Sequence, residues 1–142
     1  MSTPRQGLLD TSTVVLLERI ADPGALPLEP LISAVTLAEL SVGPLVASDP
    51  TERAARQLRL QQAEADFDPL PFDAAAARAF GGVAASLHRA GRKTGARSYD
   101  AMIAAVAIAN DLPLFTCNPG DFAHIDDLDL RTVPHPDHSS SV

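Results

Sequence analysis

Residues 97–116, RSYDAMIAAVAIANDLPLFT, decide how this chain is read. From Ala101 to Ala109 every position is apolar, so a helix there has no face to give to water and has to be covered on most sides. After the break at Asn110-Asp111, the short run LPLFT has the length and composition of a buried strand. A buried helix feeding a buried strand belongs in the middle of a layered α/β structure. Working outward, apolar runs predict strands near 7–10, 31–34, 67–71, 113–116 and 130–133. The gaps predict helices: one after Asp10 through TSTVVLLERI, one starting near Thr36 through LAELSVG, a polar one over 51–65, and DAAAARAFGGVAASLHRAG opened by Asp73 as N-cap. Gly81-Gly82 weakens the middle of the last and marks a point for a kink.

At 142 residues and 46% hydrophobic content, the chain is long enough for one core and short for two. One domain over 1–134 is expected, with the polar stretch PHPDHSSSV leaving 135–142 as a flexible tail. His135 and His138 in that tail read as solvated residues rather than metal ligands. The lone Cys117 cannot close an internal disulfide. The N-terminus lacks the basic and apolar pattern of a leader, and no run is apolar enough to span a bilayer, so a soluble cytoplasmic protein without membrane contact is expected. The formal charge of −7 counts against a polyphosphate partner, but its distribution softens the objection. No acid falls between Asp73 and Asp100, and that interval holds Arg78, Arg89, Arg92, Lys93 and Arg97, five of the eleven basic residues. Arg89, Arg92, Lys93 and Arg97 are therefore candidate contacts to a nucleic-acid backbone.

Four acids are placed by this pattern beyond the C-terminal ends of strands or at the start of the helices that follow, the edge where open α/β sheets bind ligands. Asp10 ends the first strand, although an Asp there also caps the next helix well. Glu39 follows the second strand, and its T-x-x-E spacing from Thr36 equally fits a capping box. Asp100 opens the buried helix, where an acid also suits the helix dipole. Asp121 follows the turn Asn118-Pro119-Gly120 beyond LPLFT. Carboxylates gathered without counter-charge resist joint ionisation, and a hard divalent cation relieves them. An all-oxygen set selects Mg²⁺ or Mn²⁺ over zinc and suits phosphodiester hydrolysis.

LLDTSTVV, ISAVTLAEL, YDAMIAAVAIANDLPLFT and NPGDF, in this order over roughly residues 7–133, resemble the succession of motifs in PIN-domain proteins, especially toxins of the VapC type. The resemblance implies a three-layer α/β/α domain with a parallel sheet of about five strands, and a Mg²⁺- or Mn²⁺-dependent endoribonuclease acting on structured RNA such as transfer or ribosomal RNA. It also implies a homodimer and a small VapB-type antitoxin as inhibitor. Asp10, Glu39 and Asp100 match the acids expected to hold the metal and its water; Thr11, Ser12 and Thr116 fall where small hydroxyl residues steady them. Many relatives have Asp where this chain has Asn118, and Asp121 is the candidate to supply the missing fourth charge.

The single lysine and the absence of paired acids after the first strand disfavour a receiver domain, and Ser12 stands where a haloacid dehalogenase needs its second Asp. No phosphate-binding glycine motif is present. The alternative from another class is a catalytically silent module that keeps the fold to bind RNA or protein. For a partner, Leu58 and Leu60 in the 51–66 helix, with Leu45 and Val46 before it, mark a surface that an antitoxin helix can dock on.

Overall fold

The computed structural model describes residues 4–138, apart from the side chains of residues 96, 97 and 138. Four parallel strands form one sheet: β1 (Gln6–Leu9), β2 (Glu29–Leu31), β3 (Leu114–Thr116) and β4 (Leu130–Thr132), in the order β2-β1-β3-β4. The helices are α1 (Thr11–Leu16), α2 (Ala34–Val46), α3 (Pro50–Asp66), α4 (Ala74–Arg89) and α5 (Ser98–Ala109). The two-residue alternation of a strand divides the core into layers. Leu8 and Leu114 pack with α4 and α5, while Leu9 and Phe115 pack with Val14 and Leu16 of α1 and the segment after it. The result is the expected three-layer α/β/α arrangement. Helix α5 is its centre: Ala101 and Ile103 to Ala107 are all buried, as an all-apolar helix requires. Strand β1 comes close to β3 because residue 7 is glycine; a Cβ there would stand 2.6 Å from Phe115 Cδ1 and collide with the ring.

Several boundaries differ from the sequence expectation. The segment 67–71 is not a full strand among the described residues, since only Leu70 bridges Ser33 at the outer edge. Its two backbone bonds, Leu70 N to Ile32 O at 2.9 Å and Ala34 N to Leu70 O at 2.8 Å, add a fifth extended segment in rudimentary form. The helix after Asp10 stops at Leu16 and tightens into a 3₁₀ turn over Leu17–Arg19 instead of running through Ile20. Helix α2 starts earlier than Thr36, with Ser33 as its N-cap, and α4 passes Gly81 and Gly82 as one unbroken helix capped by Asp73. Beyond β4, Asp137 forms an ion pair with Arg19; of the expected tail, residues 139–142 lie outside the described residues. No helix among the described residues is long and apolar enough to cross a membrane.

Candidate active site

The sheet order places a topological switch between β1 and β3: the chain leaves β1 for β2 on one side and returns as β3 on the other. Loops at the C-terminal ends of two such strands diverge and leave a crevice, where ligands of open α/β sheets sit. Asp10 follows β1 directly and Thr116 ends β3, so both stand at this switch.

Asp10 is 2% exposed and accepts four hydrogen bonds. Its Oδ1 takes the Thr13 backbone N–H at 3.2 Å, which caps α1, and the Thr13 hydroxyl. Its Oδ2 takes the Ser12 hydroxyl at 2.8 Å and the Thr116 hydroxyl at 3.0 Å. The capping role expected for Asp10 is present, and it occupies Oδ1. A buried carboxylate is tolerable on these terms, because hydrogen bonds to its charged form replace lost water.

Glu39 is positioned by α2, and here the capping-box alternative fails. Ser33, not Thr36, is the N-cap, its Oγ accepting from Thr36 N at 3.3 Å, so Glu39 lies too far into the helix to return to the cap. Instead the Thr11 hydroxyl donates to Glu39 Oε1 at 2.6 Å and meets the Thr36 hydroxyl at 3.1 Å. Burial pushes the Glu39 carboxyl above the ordinary glutamate value, the Thr11 hydrogen bond pulls it back, and the charge of Asp10 raises it further. The two acids therefore sense each other's charge.

Asn118 joins the network from the β3 side, its Nδ2 donating to Ser12 Oγ at 3.0 Å and its backbone N–H to Thr116 Oγ1 at 2.9 Å. Asp10, Thr11, Ser12, Glu39, Thr116 and Asn118 are thereby brought together. Asp100 stands half-buried in the first turn of α5, which packs against α2. Asp121, also half-buried, lies in the 3₁₀ turn Pro119–Phe122, with its backbone N–H bonded to Asn118 O at 3.0 Å. Among the described residues, no three acidic, cysteine or histidine side chains stand close enough to hold a metal ion as placed. The side chains in contact with the Asp10 and Glu39 carboxylates are hydroxyls, so the oxygens they present fit a hard cation better than a soft one.

Of the basic candidates, Arg89 pairs with Asp126 at 2.6 Å on the surface. Arg92 and Lys93 are exposed on the turn after α4, and the expectation for the Arg97 side chain falls outside the described residues. Leu45 and Val46 are exposed, as is Leu58 of α3.

Two residues escaped the sequence reading. Thr13 is fully buried, donates to Asp10 and accepts from the Cys117 backbone N–H at 3.1 Å. Its signal is a hydroxyl residue at the third position after a capping Asp, inside an otherwise apolar run. Cys117 is buried beside it, and burial raises its thiol above the usual range, further helped by the Asp10 charge.

The PIN domain family model matches residues 8–128. Ribonuclease VapC5 of Mycobacterium tuberculosis is 39% identical over 127 residues, covering 88% of this chain and 91% of the relative. Ribonuclease VapC4 of the same organism is 35% identical over 131 residues, covering 91% and 98%. Among solved structures, VapBC-5 from M. tuberculosis, a member of the VapBC family of toxin–antitoxin systems, aligns with a TM-score of 0.76 at 37% identity, over 92% of this chain and 98% of the other. VapBC2 from Rickettsia felis, bound to a DNA fragment from its promoter, aligns with a TM-score of 0.72 at 25% identity, over 89% and 98%. With a family match across most of its length and these identities, the chain belongs to the PIN-domain family, in its VapC branch.

Proposed function

We propose that this chain is a metal-dependent endoribonuclease and the toxin of a toxin–antitoxin pair, cutting structured RNA such as transfer or ribosomal RNA. The observation that carries the reading is the electrostatic proximity of Asp10, at the switch between β1 and β3, to Glu39, which Thr11 holds. The ribonuclease names of its relatives and the toxin–antitoxin assemblies among its structural neighbours support it.

Asp10 and Glu39, with Asp100 and Asp121 from the flanking elements, are the residues that would hold Mg²⁺ or Mn²⁺. When bound, such an ion lowers the pKa of a water and offsets charge on a phosphoryl group. The protein's own part is orientation and proton handling. Ser12, Thr13 and Thr116 hold the Asp10 carboxylate in one orientation, and Thr11 holds Glu39. Glu39, with its proton affinity raised by burial, is suited to accept a proton from water at Oε1 or Oε2. Arg92 and Lys93, exposed after α4, would meet phosphates of the substrate; a helix of a VapB-type antitoxin would dock on the exposed apolar surface, and a second copy of the chain completes a homodimer.

The test is cleavage of structured RNA by the purified chain. A chelator is expected to abolish cleavage and Mn²⁺ or Mg²⁺ to restore it. Full cleavage in chelator overturns the metal-dependent mechanism, and RNA binding without cleavage in either ion would establish a silent binding module instead.

A further inference from the structure

Three hydroxyl groups converge on Asp10, and each is itself held by a donor from the segment just after β3. The Cys117 backbone N–H donates to Thr13 Oγ1, the Asn118 backbone N–H to Thr116 Oγ1, and Asn118 Nδ2 to Ser12 Oγ. A hydroxyl that accepts a hydrogen bond keeps its own proton for another acceptor, and all three protons go to Asp10. With the Thr13 N–H, the carboxylate has four donors on a group with about four acceptor positions. A cation approaching Asp10 therefore has to displace one of them.

The four are not equally displaceable. The Thr13 N–H is fixed by α1. The Thr13 and Thr116 side chains are fully enclosed, and their hydroxyls are steered by backbone amides that truncating a side chain leaves in place. Ser12 alone is partly open to solvent, and its hydroxyl alone is steered by a side chain, Asn118. We propose that Asn118 and Ser12 form a latch over Asp10 Oδ2, so that turning the Ser12 hydroxyl aside is the step that opens Asp10 to a divalent cation. Asn118 acts through Ser12 and is a positioning residue. The inference rests on the metal-dependent reading above and adds to it which group sets the cation affinity.

The experiment is calorimetric titration of Mn²⁺ alone into the full chain and into Ser12→Ala, Asn118→Ala and the double variant, with thermal melts of each in chelator. Ser12→Ala removes the competing donor and is expected to tighten Mn²⁺ binding about tenfold, the scale of one hydrogen bond to a charged group. Asn118→Ala leaves Ser12 free to turn and is expected to tighten binding about threefold on the same scale, and to add nothing once Ser12 is replaced by alanine. A merely structural role for either residue would lower the melting temperature and loosen the ion. Equal or weaker binding by Ser12→Ala, or an Asn118→Ala effect that persists undiminished in the Ser12→Ala background, overturns the latch while leaving the metal site standing. Failure of every variant and of the parent to bind Mn²⁺ at millimolar concentration overturns the metal-dependent reading itself, and the latch with it.

Discussion

Asp10→Asn keeps the size of the side chain and removes one charge, and the structure gives a definite expectation for its effect on stability. The Thr13 backbone N–H cannot turn away, so the oxygen of the new amide has to face it, which leaves the amide nitrogen where Oδ2 now stands. That nitrogen meets the Ser12 and Thr116 hydroxyls, both of which already accept from Asn118 and have a proton to place. Ser12 can turn toward solvent, but Thr116 is fully enclosed. Losing two hydrogen bonds to a charged acceptor costs about 3 kcal/mol. Relief of the burial of a charge returns part of that, so the net loss is about 2 kcal/mol. For a chain of this size that corresponds to a fall in melting temperature of about 6–8 °C. The measurement is scanning calorimetry near neutral pH in chelator. An unchanged or raised melting temperature would show that the hydroxyl network does not stabilise the fold and would refute the reasoning.

Glu39 is expected to respond in the opposite sense. Its folded-state pKa is raised, so stability is intact below the ordinary glutamate value and declines as pH rises from that value through the folded one; the full penalty applies at neutral pH. Glu39→Gln keeps an acceptor for Thr11 and should raise the melting temperature by about 1–3 °C at pH 7. The gain should vanish below about pH 4, where both states of the parent are protonated; a gain that persists there, or none at pH 7, contradicts the assignment. Replacing Arg92 and Lys93 together by serine should reduce the slope of log binding constant against log salt for RNA by about 1.4–1.8, the value for two phosphate contacts. An unchanged slope would leave both as ordinary surface.

The sheet and its central helix were legible because their signals are compositional: a helix apolar on every side and short apolar runs ending in turn residues have few alternatives. The place of Asp10 at the C-terminal end of β1 was legible, because it closes the first apolar run. The start of α2 was not. In ISAVTLAE local rules favour Thr36, with Glu three residues on, whereas the structure is capped by Ser33. What decides for Ser33 is tertiary: Ala34 N is tied to Leu70 O, so the chain turns into helix there. The same edge contact explains residues 67–71, whose apolar pattern finds only Ser33 to pair with. Thr13 was hidden because a β-branched residue in TSTVVLL reads as core, and only the fold shows that its hydroxyl joins α1 to the end of β3.

The switch between β1 and β3 also orders events in time. Thr116 and Asp10 touch although they are 106 positions apart, and β3 lies beside β1 although every helix of the sheet's two faces is made between them. On the ribosome, β1 is synthesised early and keeps one edge unpaired until α5 and β3 have emerged. Contacts of such long sequence separation form slowly, and an open strand edge invites pairing with other chains. During that interval Asp10 lacks the hydroxyl of Thr116, and Ser12 lacks the amide of Asn118. A nascent chain of this fold therefore carries Asp10 and Glu39 early and their β3-side neighbours late, and the segment after β3 is the one that orients the first acid made.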